Sequence, residues 1–320
     1  INKLYPHYFV YEFKGNSIYI KRDDLYPVAA GGNKAKKIDI ISKTIPSSVK
    51  TIITYGSVHS NHVRSCISLA ANHKFELIVI SPKTNNKGTT DLYQNFIDFK
   101  IIYSELDLVS ETIHNLLATY KEDEVFFIPG GGHLPAGTDA YIQTYEEIRN
   151  YELKSELNFK YIVHGSGTGG TQAGLILGSM YRSEPLSRII GISVGRKKTR
   201  AIPIIVDTIK EYVPSLSLKD LKGLSDDIQF YDNLVDHNYG NANHDYDQIR
   251  QLGFTEFDIE LDPIYTGKSF QGMLNFLEMK KIRGENILFI HTGGTPIYYE
   301  KLLRMDFWYE HINYECRNKK

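Results

Sequence analysis

Lys34 stands in the stretch Gly31-Gly32-Asn33-Lys34-Ala35-Lys36-Lys37, with two glycines before it and an amphipathic run after it. Asn33 is a good N-cap, which places Lys34 in the first turn of a helix that begins there. The unpaired amides and dipole of a helix start disfavour a second positive charge, so an ammonium held there is destabilised. An amine kept partly neutral is a competent nucleophile and condenses with carbonyl compounds. Most lysines near a helix start simply face solvent, and Lys36 and Lys37 read as ordinary surface charges.

A second stretch, "YIVHGSGTGGTQAGLILG" from Tyr161, reads as strand, glycine turn and helix. Glycines let successive amides turn towards one anion, the helix start adds its positive end, and Thr168 and Thr171 add hydroxyls. The choice is between a phosphate cradle and a plain tight turn. Gly165, Gly167 and Gly170 also satisfy G-x-G-x-x-G, which raises a nicotinamide enzyme. That reading needs an acid at the tip of the next strand, whereas "IIGISVG" runs into Arg196, a side chain able to serve a 2′-phosphate. Ser60-Asn61-His62 precedes a helical run and is either an N-cap cluster or part of a site. His133 reads as a satisfied loop histidine. Asp23 and Asp24 read as structural partners of Lys21 and Arg22.

The elements that must position these residues alternate. Near-continuous apolar runs, "SIYIKR", "TIITYG", "ELIVIS", "KIIYSE", "VFFIPG", "YIVHG", "IIGISVG" and "ILFIHTG", mark strands covered on both faces of parallel sheets. Helical patterns lie between them at 62–72, 107–120, 137–150, 170–182, 202–212 and 268–281. The class is α/β with crossover connections. Glycine turns close several strands, at Gly56, Gly130–Gly132, Gly165–Gly170 and Gly293–Gly294, and that edge is where open α/β sheets take ligands. The segment 236–248 is the longest loop-like stretch.

With 37 basic against 38 acidic residues the net charge is −1, so no bulk field points to nucleic acid or to an anionic membrane. The basic run Arg196-Lys197-Lys198 is short and reads as solvated surface. Cys66 and Cys316 lie far apart without metal-like spacing, which fits a reducing cytoplasm; no run approaches the length of a membrane span. A metal site is not expected.

Five motifs, "IKRDDL…GGNKAKK", "SVHSNHVRS", "GSGTGGTQAGL", "LDPIYTGKSFQGM" and "ILFIHTGGTP", follow in an order and spacing similar to the 1-aminocyclopropane-1-carboxylate deaminase/D-cysteine desulfhydrase family of pyridoxal-phosphate enzymes, over about residues 18 to 297. The resemblance implies an α/β fold of tryptophan synthase β type, with two open, twisted, mostly parallel sheets flanked by helices. It implies a small domain of 40–142 inserted into a large one of 1–39 and 143–320, with pyridoxal 5′-phosphate in the cleft. By position, Lys34 matches the lysine that bonds the cofactor aldehyde, Asn61 meets the phenolic oxygen, and Ser60 meets the substrate carboxylate or acts in catalysis. His62 contacts the ring face, and Gly167, Thr168, Gly169, Gly170 and Thr171 form the phosphate cup. Tyr239 and Tyr265 match two active-site tyrosines, and Thr292 faces the pyridine nitrogen.

Deaminases of that family tend to carry Glu where this chain has Thr266 and Leu where it has Thr292. Both changes favour the desulfhydrase-like branch. The implied activity is β-elimination from a small amino acid, giving a 2-oxo acid, ammonia and, from D-cysteine, sulfide. Ring-opening deamination, racemase or dehydratase chemistry, and a non-catalytic cofactor-carrying or regulatory role are the alternatives. A homodimer is implied by the resemblance alone.

Overall fold

The computed structural model describes residues 8–83, 93–95, 97–234 and 246–299. In chain order the strands are β1 (Tyr8–Phe13), β2 (Asn16–Arg22), β3 (Thr51–Tyr55), β4 (Glu76–Pro82), β5 (Lys100–Ser104), β6 (Val125–Ile128), β7 (Tyr161–Ser166), β8 (Ile189–Ser193), β9 (Gln229–Tyr231) and β10 (Asn286–His291). The helices are α1 (Gly32–Ser42), α2 (Asn61–His73), α3 (Val109–Leu117), α4 (Pro135–Ser155), α5 (Gly170–Tyr181), α6 (Lys198–Tyr212), α7 (Leu218–Asp227), α8 (Tyr246–Phe257) and α9 (Thr266–Met279).

Two sheets organise them. One has the order β1-β2-β10-β7-β8-β9 and the other β5-β4-β3-β6; every pairing is parallel except β1 against β2. The α/β class and the mostly parallel sheets match the expectation, because central strands covered by helices on both faces have to be apolar throughout. In the larger sheet Leu288 and Ile290 face a layer of α4, α5 and α6, built on Tyr141, Leu175 and Ile205. Phe289 faces the opposite layer of α8 and α9, where Phe257 and Phe289 each pack edge to face with Phe270, and Phe276 meets Tyr161 the same way. The smaller sheet buries Ile52 against Val63 and Ile67 of α2, and Ile53 and Ile80 against Val109 of α3.

Helix α1 packs on both α2 and α4, and a buried ionic knot fixes its seat. Lys21 bonds Asp23 and lies 3.0 Å from Glu147. Both Glu147 oxygens accept from Lys36 at 2.8 Å, and Tyr141 donates to Asp23 at 2.8 Å. Arg22 grips Asp24 at 2.7 Å, so the structural reading of the two aspartates holds. Lys36 is corrected from surface charge to buried ion-pair partner, because α4 covers that face of α1.

Candidate active site

The carboxyl ends of β10, β7 and β8 and the starts of α1, α2 and α9 converge on one cleft of about 780 Å³. Lys34, Ser60, Asn61, His62, Gly167 and Thr168 line it, as do Tyr265 and Thr292. Gly169, Gly170 and Thr171 lie buried behind that wall, and Thr266 is off it. Tyr239 lies outside the described residues, as does most of the 236–248 segment.

The lysine is delivered by a turn that only its local sequence permits. Ala29, Ala30, Gly31 and Gly32 are four successive residues at positive φ, from 48° to 93°. Non-glycine residues in that region carry strain and persist only where neighbours hold them. The holder is Arg64, buried in α2, whose guanidinium donates to the carbonyls of Ala29 and Gly31 and to Asn61 Oδ1. Gly32 and Gly293 meet back to back: a Cβ on Gly293 would stand 2.7 Å from the Gly32 Cα. Glycine at both positions lets the α1 start press against the end of β10.

Asn33 is not the N-cap. Gly31 holds that position, and Asn33 donates its amide to the Thr292 carbonyl at 2.8 Å and its side chain to Thr171 Oγ1 at 3.4 Å. It stitches β10 and α5 to the lysine turn instead of capping its own helix. Lys34 still falls in the first turn, half-buried against the cleft, and desolvation draws its amine down to about 8. Burial is the cause. On the far side, a Cβ at Gly131 would stand 3.3 Å from the Lys34 amine and 2.7 Å from the Thr168 methyl, so the Gly130–Gly132 turn closes over the pair.

The glycine turn has an unexpected backing. Lys37 lies one turn beyond Lys34, wholly buried, and its amine has no hydrogen-bond partner. A Cβ at Gly170 would stand 3.1 Å from that amine, which places it directly behind the turn. Burial first, and then the Lys34 charge, push the Lys37 amine well below its ordinary range. This corrects the surface reading of Lys37. The signal was present as i, i+3 spacing from Lys34, which puts both amines on one face of α1.

The other walls are fixed side chains. Ser60 is both a cleft residue and the N-cap of α2, accepting from the Val63 amide at 3.4 Å, so the two readings of that cluster coincide. Thr54 gives its hydroxyl proton to the Ile128 carbonyl at 2.7 Å, so His62 Nε2 donates to Thr54 Oγ1 at 2.8 Å. Burial holds the His62 imidazole down at about 3, neutral at any working pH. Cys66 behind it is pushed up to about 12 by burial and is an inert core thiol.

Tyr265 is set by Asp262, a wholly buried carboxylate that accepts the amides of Ile264, Tyr265 and Thr266 at 2.8–2.9 Å. The Thr266 hydroxyl also bonds Asp262, at 2.6 Å, which is why Thr266 faces the protein and not the cleft. His133 donates through Nε2 to Thr208 at 3.0 Å, since Thr208 donates onward to Ile204, and it stays off the cleft wall as a satisfied loop histidine. Arg196 and Lys197 line the cleft at its β8–α6 edge; Lys197 is exposed there, as the surface reading has it, and Arg196 is half-buried.

The sequence profile of a family described as pyridoxal-phosphate dependent enzymes matches residues 4–293. D-cysteine desulfhydrase of Yersinia enterocolitica is 33% identical over 89% of this chain and 88% of its own length. The enzyme of the same name from Serratia proteamaculans is 29% identical over 89% and 88%. Among solved structures, an ACC deaminase homologue at 30% identity superposes with a TM-score of 0.73, covering 93% of each chain.

Proposed function

The chain belongs to the pyridoxal-phosphate dependent enzymes, and from that premise we propose that it is a lyase removing the β-substituent of a small amino acid, with D-cysteine as the reference substrate. One observation carries the reading. A lysine amine drawn to about 8, a glycine turn backed by a buried unpaired amine, and an open helix start all meet in a single cleft.

The residues fit the cofactor on their own chemistry. Lys37 is a buried amine lacking the anion that would compensate it, and a phosphate in the Gly167–Thr171 turn supplies one. Lys34 would bond the aldehyde, Asn61 and Thr292 would meet the ring's polar edge, and His62 would lie against its face. When bound, pyridoxal phosphate supplies an aldehyde that captures amines and a conjugated ring that takes up electrons from Cα.

The chain's own residues do the rest. Ser60 and Asn61, at the N-terminus of α2, offer hydroxyl, amide and dipole to the substrate carboxylate. Lys34, its amine drawn to about 8 and so more readily neutral than an ordinary lysine, takes the proton from Cα as general base. Tyr265, whose amide is anchored on Asp262 and whose side chain lines the cleft, would give the departing β-substituent its proton. The net change is D-cysteine and water giving pyruvate, ammonia and hydrogen sulfide. No carboxylate lines the cleft among the described residues, and the hydroxyl of Thr292 does not compel a protonated pyridine nitrogen. Ring opening needs the stronger electron sink, so elimination is preferred. We read the cleft as lying between lobes 40–142 and 1–39 plus 143–320, in a cytoplasmic homodimer.

The test is a panel of D- and L-amino acids on the holoprotein, followed by ammonia and 2-oxo acid release. Sulfide and pyruvate from D-cysteine are expected. Steady 2-oxobutanoate from 1-aminocyclopropane-1-carboxylate, with no sulfide from D-cysteine, overturns the choice of reaction. A holoprotein without visible absorbance that borohydride can fix to Lys34 overturns the site.

A further inference from the structure

Arg64 lies one turn into α2, 3% exposed, with its guanidinium between two segments that both reach the cleft. On one side are the carbonyls of Ala29 and Gly31, in the turn that delivers Lys34. On the other is Asn61, a cleft residue whose Oδ1 accepts at 3.3 Å. The arginine is itself anchored at the helix start, since its amide donates to the Ser60 carbonyl at 3.0 Å.

A guanidinium carries five donors and no acceptor, so it takes the oxygen end of the Asn61 amide and excludes the nitrogen end. The main-chain carbonyl of Asn61 is occupied as well, by the Ser65 hydroxyl at 2.8 Å. The Asn61 Nδ2 makes no hydrogen bond among the described residues. That N–H is the branch left for the cleft, and a permanent cation on the oxygen end polarises it into a stronger donor. The same fork holds a turn with four successive positive φ values, a strained path that persists only under restraint.

We propose that Arg64 is the positioning residue of this site: through one guanidinium it ties the α2 start to the Lys34 turn and commits Asn61 to face the ring as a hydrogen-bond donor. The inference rests on the reading above, in which Asn61 meets the polar edge of the pyridoxal phosphate ring, here its phenolic oxygen beside Lys34. A donor there favours the ionised oxygen, so a proton shared by the two atoms sits on the Lys34 nitrogen. An acceptor there would draw that proton onto the oxygen instead. Arg64 is off the cleft wall and acts only through Asn61 and the turn.

The experiment reads the ratio of visible to near-ultraviolet absorbance of holoprotein at one pH, which follows where that proton sits. Asn61→Asp is near-isosteric and keeps a partner for Arg64, but it turns an acceptor to the ring. Its ratio should fall at least about tenfold. Arg64→Met should lower the ratio about threefold, the scale of one ordinary hydrogen bond, and should add nothing in the Asn61→Ala background. Arg64→Lys keeps the charge without the fork and should match Arg64→Met; it reads the same cycle if Arg64→Met does not fold. A ratio unmoved or raised in Asn61→Asp overturns the proposal, because the amide oxygen would then face the ring. So does an Arg64 effect of equal size with and without the Asn61 side chain, the mark of a merely structural arginine. Failure of the underlying reading is separate: wild-type protein would show no visible absorbance that borohydride fixes to Lys34, and the proposal falls with it.

Discussion

Lys36 and Lys37 are neighbours in α1 and equally sealed from water, with 3% and 0% of their surface exposed, yet their surroundings are opposite. Lys36 ends on both oxygens of Glu147 in a knot that also takes in Lys21, Asp23 and Tyr141. Lys37 has no hydrogen-bond partner; its amine lies 5.8 Å from the Tyr141 ring centroid and 3.1 Å from where a Gly170 Cβ would stand. A paired buried cation orders the fold, and its loss strands the partner's charge. An unpaired one costs the empty protein stability and returns it when an anion arrives. On the proposed reading one helix carries a structural lysine and a ligand lysine side by side, with Lys34 one turn before them.

The most damaging break is Lys34→Ala. Turnover should fall by at least about 1,000-fold, the range expected for removing a general base, and the visible absorbance of the holoprotein should disappear. Activity retained within tenfold in that variant would mean that another amine does the chemistry.

Lys37→Met separates the two kinds of burial. Its cofactor dissociation constant should rise about 100-fold, or about 2.7 kcal/mol, as the phosphate would lose the buried cation behind the turn. The cofactor-free variant should nevertheless melt higher than the wild type, by about 1–2 kcal/mol, because an uncompensated buried amine has been replaced by an apolar chain of similar volume. Denaturant melts with and without cofactor read both. A cofactor-free protein destabilised by the change would show that Lys37 is structural after all.

Lys36→Met should do the reverse. Glu147 keeps Lys21 but loses Lys36, and the cofactor-free protein should lose about 2 kcal/mol. Cofactor affinity should move less than about threefold, since such a step is under 1 kcal/mol. Equal effects of the two substitutions on cofactor binding would erase the contrast.

That contrast also marks how far the sequence could be read. Strands covered on both faces announce themselves as apolar runs, and β2 through β8 and β10 stand where those runs lie. Strand β1 does not, because it is the antiparallel edge and exposes Phe9 and Val10 on a half-polar ribbon; β9 is three residues long. Lys34 was legible because glycines, asparagine and the accompanying motifs occur together. Lys37 had only its i, i+3 spacing from Lys34 as a signal, which did not suffice, since a lysine is normally a surface residue and only the packed helix shows what covers it. The same limit hid Arg64, which holds four left-handed residues through carbonyl bonds that no motif encodes. Thr266 failed differently. The resemblance singled it out as the position where deaminases carry Glu, but the first turn of α9 brings its hydroxyl onto Asp262 and off the cleft wall. The run Arg196-Lys197-Lys198 was judged on its length, which does not show that Arg196 and Lys197 line the cleft.

The smallest effect concerns pH. An ordinary lysine keeps gaining neutral fraction up to about 10.5, but burial ends that gain for Lys34 near 8. Since only the neutral amine attacks an aldehyde, the rate at which cofactor-free protein takes up pyridoxal phosphate should climb about tenfold per unit below that point and level off above it. His62, held at about 3 by burial, adds no limb to the curve. Measurements from about pH 7 upward avoid the phosphate's own ionisation near 6. The midpoint should stay near 8 in Lys37→Met, because burial alone lowers Lys34, even though the overall affinity has dropped. A rate still rising past about pH 10 would place the Lys34 amine in solvent-like surroundings, and the difference between the three lysines of α1 would then reduce to which of them happens to meet an acid.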